Sequence, residues 1–205
     1  METNNFKNPL SGCDKYGESR LKLALFLKNE IFNKFSIDYC LENGTLLGAF
    51  RNNKFIPHDD DFDYAIFIKN VEEIKEIYEN IKKNMNKSSY KIRFIDTYCL
   101  KIEIYDPDEG EYILAGKKYN GANYHHVTVD LQFHLKIPNN KYKQLYFIGA
   151  ELLNDTDNIF PFTSIVLEDN TFPAPKNTEL FLTECYGSIK EGAIYNTLTS
   201  KYENK

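Results

Sequence analysis

Residues 39–68 read YCLENGTLLGAFRNNKFIPHDDDFDYAIFI, and this stretch decides the fold. A short apolar run comes first, Asn43-Gly44 breaks it, and Thr45–Arg51 has the composition of a helix that begins directly after the glycine. The acids that follow lead into Asp61–Lys69, a run rich in β-branched and aromatic residues that predicts a strand. The stretch therefore predicts a strand, a turn at the glycine, a helix and a second strand.

The rest of the chain alternates between helical and extended patterns. Apolar residues recur at helical spacing in Glu18–Phe35, and β-rich runs mark several further strands. The predicted helices are Glu18–Phe35, Val71–Asn84 and Lys176–Tyr186, and the further predicted strands are Ser36–Leu41, Tyr90–Asp96, Tyr98–Asp106 and Val127–Ile137. This pattern predicts an α+β fold in which helices flank a mixed β-sheet. We expect residues 1–205 to form one domain with a core at about 17–190.

Composition narrows the class of protein. The net charge of −5 over 205 residues does not favour a nucleic-acid partner. No apolar run approaches the roughly 18 residues that a transmembrane helix needs, and the first residues, METNNFKNPLSG, lack the apolar core of a secretory signal. The four cysteines lie far apart and form no CxxC pair, which favours free thiols. We therefore expect a cytoplasmic protein without a transmembrane segment.

The first half of a candidate site lies at the turn before the predicted helix. Gly44 allows close approach to the backbone, and the N–H groups of a first helical turn favour an anion. The hydroxyl of Thr45 adds a side-chain donor. We therefore predict that Gly44 and Thr45 bind a phosphate group.

The acidic run supplies the second half of the site. Side chains alternate along a strand, so Asp61 and Asp63 should share one face, whereas Asp60 should point away from both. Two carboxylates at that spacing repel each other unless a cation lies between them, and hard oxygen ligands suit Mg²⁺ or Mn²⁺. We predict that Asp61 and Asp63 bind such an ion and that Asp59 is a further ligand or base. A bound phosphate beside this ion is what phosphoryl transfer requires.

Together these residues resemble the LicD / fukutin / fukutin-related protein family. Its signature is roughly Gly-Gly-Thr-Leu-Leu-Gly, an Arg, and then Ile-Pro-Trp-Asp-x-Asp-x-Asp. The matching residues here are Gly44, Thr45, Leu46, Leu47, Gly48, Arg51, Ile56, Pro57, Asp59, Asp61 and Asp63, with Phe160-Pro161, Pro173, Pro175, Leu182, Tyr186 and Gly187 resembling the C-terminal part. Two positions depart from the signature: Asn43 stands where the first Gly is usual, and His58 replaces the Trp.

The resemblance implies a nucleotidyltransferase-like fold and a metal-dependent phosphotransferase. Relatives move phosphocholine or ribitol phosphate from a CDP-linked donor to a glycan hydroxyl, and CMP leaves. A nucleotidyltransferase that uses CTP or another NTP is an alternative, as is a non-catalytic nucleotide-binding module of the same fold. Folds of this type also take a third acid from a later strand. Asp130 fits this position, because it lies mid-strand in HHVTVDLQFHL, and it would be either a metal ligand or the general base.

Several other residues are open to more than one interpretation. Arg51 would clamp a phosphate or form a surface salt bridge. His58 would tune metal affinity, contact substrate or have no role. Lys101 and Glu103 share one face of a predicted strand, and an outward polar face is favoured over a cleft wall. The histidines lack the ligand spacing that a zinc site needs.

Overall fold

The computed structural model describes residues 12–57, 59–96, 100–112, 124–145, 153–190, 192–196 and 201–203. Its helices are α1 (Gly12–Leu27), α2 (Asn33–Phe35), α3 (Asn43–Asn52), α4 (Glu72–Asn84), α5 (Thr156–Ile159) and α6 (Thr178–Tyr186), with a π-helical turn at Lys28–Phe32 and a 3₁₀ turn at Met85–Lys87. Its strands are β1 (Tyr39–Leu41), β2 (Asp63–Ile68), β3 (Lys91–Ile95), β4 (Lys101–Tyr112), β5 (Tyr124–Ile137), β6 (Lys141–Gln144), β7 (Leu153–Asp155), β8 (Thr163–Leu167), β9 (Asn170–Ala174), β10 (Ile194–Asn196) and β11 (Lys201–Glu203).

A seven-stranded mixed sheet forms the centre of the fold. Its main order is β1-β2-β5-β4-β3, and β6 pairs with β5 and with β7. Strands β2 and β5 are parallel, while the other neighbours are antiparallel. The predicted α+β class with a mixed sheet and flanking helices is therefore confirmed.

One face of the sheet is apolar and packs against helices. Tyr64 lies on this face and donates a hydrogen bond from its hydroxyl to the carbonyl oxygen of Ala24 in α1 (3.1 Å). Phe94, on the same face of β3, meets the ring of Tyr78 in α4 with centroids 6.4 Å apart. The helices α1 and α4 thus bury this side of the sheet, which is the main hydrophobic contribution to the fold.

The opposite face carries a row of polar side chains that are almost fully buried. Residues paired across neighbouring strands point to the same side of a sheet. The row is therefore fixed by register, and it consists of Asp63, Lys101, Glu103, Thr128, Asp130, Gln132 and His134. At one end, α6 places the ring of Phe181 6.3 Å from that of His134. Buried polar groups are costly without partners, so this face is where function is expected.

The sequence located the main elements and missed the smaller strands. The predicted helix Glu18–Phe35 is interrupted by the π-helical turn, and the predicted strand at Asp61 begins two residues later, at Asp63. Strands β6 to β11 were not predicted because they are short and depend on non-local pairing. None of the helices in the described part of the chain is long and apolar enough to cross a membrane.

Candidate active site

Three carboxylates meet where β2 and β5 run side by side. Asp63 is the first residue of β2 and lies directly opposite Asp130 of β5, while Asp61 lies two residues earlier, in the loop that enters β2. One carboxylate oxygen from each of the three lies within 4.8 Å of the others. The structure thus brings together the three residues for which the sequence predicts metal binding.

Hydrogen bonds from the sheet fix two of these carboxylates. Gln132 donates from Nε2 to Oδ1 of Asp63 (2.8 Å), and Lys101 donates from Nζ to Oδ2 of Asp130. The backbone N–H of Asp63 donates to the hydroxyl oxygen of Thr45 (3.0 Å). One oxygen of Asp63 and one oxygen of Asp130 are therefore each held by a side chain from a neighbouring strand.

The electrostatics of the cluster favour protons or a cation. Burial raises the pKa of Asp61 and of Asp63 well above the usual aspartate value, and the neighbouring acids raise each further. Burial also raises the pKa of Asp130 to about 6, although the Lys101 ammonium opposes this shift. An ionised cluster of this kind is stable only when positive charge enters it.

The residues present fit a hard divalent cation. Oδ1 of Asp130 is buried and has no hydrogen-bond partner among the described residues. Asp61, Asp63 and Asp130 each offer a carboxylate oxygen, which is the ligand chemistry that Mg²⁺ and Mn²⁺ prefer. Asp61, Asp63 and Asp130 are thus able to hold such an ion.

A second group of acids lies beside the first and shares Asp61 with it. Oxygens of Asp59, Asp60 and Asp61 lie within 4.8 Å of one another. The prediction that Asp60 points away is therefore wrong, because the strand begins only at Asp63 and alternation does not extend to the loop. Burial, followed by the charges of Asp61 and Asp60, raises the pKa of Asp59 well above its usual range.

Gly44 and Thr45, which the sequence predicts to bind phosphate, each lie against one of the aspartates. A Cβ atom on Gly44 would lie 2.4 Å from Oδ2 of Asp59, so the glycine makes room for this carboxylate. Thr45 is fully buried and its hydroxyl oxygen accepts the N–H of Asp63. Phosphate binding by Gly44 and Thr45 stays a prediction.

Arg51 and His58 are the remaining predicted site residues. Arg51 donates from Nε to the carbonyl oxygen of Ile189 (2.9 Å) and from a terminal nitrogen to that of Lys190 (3.4 Å). It therefore ties α3 to a C-terminal segment in this structure. His58 lies outside the described residues.

Sequence reasoning missed how β4 supports the site. Lys101 is 4% exposed and Glu103 is fully buried, so the favoured outward polar face is wrong. Glu103 forms an ion pair with Arg93, and its Oε1 lies 3.8 Å from Nζ of Lys101. Alternation correctly placed Lys101 and Glu103 on one face, but only the register shows that this face contains Asp130.

Two further side chains approach the acids from other elements. Arg20 of α1 is 1% exposed, and its charge partly opposes the raised pKa of Asp59. Tyr186 ends α6, and after burial the charges of Asp63 and Asp59 raise the pKa of its phenol. The C-terminal part of the family resemblance includes Tyr186 and could have indicated its place at the site. No feature of the sequence indicated Arg20, which lies within an amphipathic helix.

The fold and this cluster define a class of protein. A mixed sheet that presents acids from neighbouring strands beside the start of a helix is the arrangement of a nucleotidyltransferase-type transferase. Residues 36–177 match the family described as "LicD/FKTN/FKRP, nucleotidyltransferase domain". The chain belongs to this family, which confirms the resemblance seen in its sequence.

Two curated relatives come from rickettsiae. The chain is 29% identical over 147 residues to "Uncharacterized protein RP689" of Rickettsia prowazekii (strain Madrid E), a match that covers 70% of this chain and 53% of the relative. It is 33% identical over 91 residues to "Uncharacterized protein RT0683" of Rickettsia typhi (strain ATCC VR-144 / Wilmington), covering 42% of this chain and 28% of the relative. The matched region thus spans about half, or less, of the length of these relatives.

Two solved structures are distantly similar to the chain. The lincosamide antibiotic adenylyltransferase LnuA, in its lincomycin-bound crystal structure, aligns at 13% identity and a TM-score of 0.45, covering 84% of this chain and 98% of LnuA. A chain of the E. coli MS115-1 CdnC:HORMA-deltaN complex aligns at 13% identity and a TM-score of 0.31, covering 70% and 39% of the two chains.

Proposed function

We propose that this protein is a Mg²⁺- or Mn²⁺-dependent phosphotransferase. It moves a substituted phosphate, of the phosphocholine or alditol-phosphate kind, from a CDP-linked donor to a hydroxyl group of a glycan or similar acceptor, and CMP leaves. Membership of the family supports the CDP-linked donor and the hydroxyl acceptor, because these are what the resemblance to its members implies. We also propose that it acts in the cytoplasm, as its sequence predicts.

One observation carries the proposal. Asp61, Asp63 and Asp130 present oxygens within 4.8 Å of one another, and a buried oxygen of Asp130 lacks a hydrogen-bond partner among the described residues. Repulsion among these carboxylates opposes folding in the absence of positive charge. An arrangement that costs stability and leaves a buried oxygen unpaired is typical of a functional site.

The side chains have distinct roles in the proposed reaction. Asp61, Asp63 and Asp130 would hold the metal ion, which would neutralise negative charge on the phosphate that is transferred. The acceptor oxygen forms a bond to the β-phosphorus of the donor, while the bond from this phosphorus to the bridging oxygen breaks and CMP leaves. Asp59, whose carboxylate lies beside that of Asp61, is assigned to take the hydroxyl proton. Lys101 holds Asp130 in place from the next strand.

Product analysis tests this assignment. Purified protein is incubated with CDP-choline or CDP-ribitol and Mg²⁺, with and without glycan acceptors, and CMP release is measured. Asp61→Asn and Asp63→Asn should each lower CMP release by about a thousandfold or more without loss of the fold. Asp157→Asn, at an exposed acid outside the cluster, is the matched control and should keep full activity. Full activity in either cluster variant, or in excess EDTA, would refute the proposal.

The same assay separates the alternative reactions. When CTP or another NTP replaces the CDP-linked donor, a nucleotidyltransferase would direct the acceptor oxygen to the α-phosphorus, and pyrophosphate would leave instead of CMP. A binding module would bind CDP in a thermal-shift assay, because a ligand of the native state raises the melting temperature, yet it would turn over neither donor. Pyrophosphate release or binding without turnover would each replace the proposed reaction.

A further inference from the structure

Four buried side chains form one hydrogen-bonded chain that ends on Asp63. Gln132 donates from Nε2 to Asp63 Oδ1 (2.8 Å), and Gln144 of β6 donates from Nε2 to the carbonyl oxygen of Gln132 (2.9 Å). Gln144 also donates to Oε1 of Glu42 (3.0 Å), and Nε2 of His134 lies 2.7 Å from the same oxygen. Gln132 and Gln144 are 8% and 5% exposed, and Glu42 and His134 are fully buried.

The donor and acceptor chemistry of these groups allows only one direction for the hydrogen bonds between them. A carboxylate oxygen only accepts hydrogen bonds, whereas the two ends of an amide differ, since its nitrogen donates and its oxygen accepts. Glu42 therefore requires the nitrogen of Gln144 to face it. This nitrogen has two hydrogens, and the second is directed at the oxygen of Gln132. The nitrogen of Gln132 is then left to face Asp63.

Both ends of the chain demand the same orientation. Asp63, as a carboxylate, also requires a donor from Gln132, so neither amide can turn without placing two acceptors against each other. Buried networks in which every bond agrees in this way are rigid. The hydrogen-bonded network therefore fixes Oδ1 of Asp63 and, through it, the orientation of this carboxylate beside Asp61 and Asp130.

We infer that Gln132 is a positioning residue for Asp63 and that Gln144 and Glu42, which do not touch the acids, hold Gln132 in its working orientation. This inference deepens the proposed function and rests on it where metal binding is concerned. The partners of metal ligands set ligand orientation, and changing such a partner typically costs about tenfold to a hundredfold in metal affinity. Gln144 acts one bond further away, so a smaller effect of about threefold is expected from its loss.

The sequence makes the arrangement unusually easy to observe. Gln132 and Gln144 are the only two glutamines in the 205 residues. Protein labelled with ¹⁵N in the glutamine side-chain amide therefore yields two pairs of NMR signals, and Gln132→Met or Gln144→Met removes one pair and assigns the other. Metal-free protein is sufficient for this measurement, so it does not depend on catalytic activity.

The first test follows the Gln132 pair in metal-free protein. Asp63→Asn removes the acceptor at one end, and Gln144→Met removes the donor at the other, while Met keeps a similar side-chain length. The Gln132 signals should move in both variants and should stay in place in Lys34→Met, at an exposed lysine paired with Glu30. Gln132 signals that stay unchanged in Asp63→Asn or in Gln144→Met would overturn the inference. Glu42→Gln replaces Gln144→Met if that variant does not fold.

The second test is Mg²⁺ affinity, measured by titration of the same signals. Gln144→Met should raise the Mg²⁺ dissociation constant about threefold, and Gln132→Met should raise it about tenfold or more. A lower melting temperature with an unchanged dissociation constant in both variants would mean a merely structural role and would overturn the inference. If the unaltered protein binds no Mg²⁺, the proposed metal-dependent function fails, and the first test alone decides whether Gln132 is held as inferred.

Discussion

Asp130 lies directly opposite Asp63 in the parallel pairing of β2 with β5. Neighbouring strands are about 4.8 Å apart, so side chains at opposite positions point the same way and come close. The topology of the sheet thus forces two carboxylates together in a buried place, and Asp61 joins them from the preceding loop. The site is therefore created by strand order and register, and the repulsion among its carboxylates is a consequence of the fold.

The first prediction concerns the pH dependence of stability without metal. The folded-state pKa of Asp130 is about 6, against an ordinary value of 3.8, and those of Asp61 and Asp63 are raised in the same direction. A raised folded pKa means that the native state binds more protons, so the stabilising contribution is full below the ordinary value and is lost as pH rises. We expect this contribution to fall between about pH 4 and pH 7, by about 1.4 kcal/mol per unit of pKa shift.

Thermal unfolding with EDTA or with Mg²⁺ checks this prediction. The proposed Mg²⁺ ion would bind the ionised carboxylates, so the rise in melting temperature that it causes should grow with pH over the same range. Asp61→Asn should abolish most of this rise, while Asp157→Asn should keep it. Melting temperatures that respond to Mg²⁺ equally at all pH values would contradict the expectation.

The second prediction concerns the buried lysine. Lys101 lies between Asp130 and Glu103, so Lys101→Met leaves the buried Asp130 without its cation, while Glu103 keeps its ion pair with Arg93. Breaking a buried ion pair in this way typically costs about 3–5 kcal/mol, and we expect a loss near the lower value at neutral pH. The loss should shrink at about pH 5, because Asp130 is then mostly protonated.

Urea unfolding at both pH values measures this effect. Lys34→Met is the matched control, since Lys34 forms an exposed ion pair with Glu30 and should change stability by less than about 0.5 kcal/mol. A cost for Lys101→Met that is the same at both pH values would argue against a neutralising role for this lysine.

How far the sequence predicts the site depends on whether a feature is local. The acidic run and the family signature pointed to Asp61 and Asp63, and a mid-strand acid pointed to Asp130. The position of Lys101 beside Asp130 was not predictable, because it depends on the antiparallel register of β4 with β5. The same holds for Gln132, which reaches Asp63 only because β2 and β5 are neighbours.

Asn43 shows a different limit of prediction from sequence, because its role depends on the backbone conformation that it adopts. It stands where the family signature has glycine, and its φ of +48° lies in the left-handed region. Glycine adopts this region freely, and asparagine tolerates it better than most other residues. The departure from the signature therefore keeps the conformation that starts α3.

The third prediction follows from this conformation. Asn43→Gly should change the free energy of unfolding by less than about 0.5 kcal/mol, whereas Asn43→Ala should cost about 1 kcal/mol or more. Urea unfolding of both variants measures the difference. If alanine were tolerated as well as glycine, the left-handed conformation would not be what asparagine supplies at this position.

The fourth prediction contrasts two glycines of α3 that the same substitution should affect in different ways. A Cβ atom on Gly44 would lie 2.4 Å from Oδ2 of Asp59, which is the end of a side chain. A Cβ atom on Gly48 would lie 2.4 Å from the carbonyl oxygen of Lys54 and 3.1 Å from the backbone nitrogen of Ile56. A side chain is able to turn away, whereas a packed backbone has to shift, so Gly44→Ala should displace Asp59 and Gly48→Ala should strain the fold.

We therefore expect Gly44→Ala to lower CMP release by about tenfold or more through misplacement of Asp59, with a stability loss of about 1 kcal/mol or less. Gly48→Ala should lower the free energy of unfolding by about 2–3 kcal/mol, and the fraction that remains folded should keep its Mg²⁺ affinity. Urea unfolding and Mg²⁺ titration of both variants separate the two effects. If Gly44→Ala and Gly48→Ala lowered the free energy of unfolding equally, the Asp59 carboxylate would be held as firmly as packed backbone. The space at Gly44 would then be needed mainly for stability and not for the reaction.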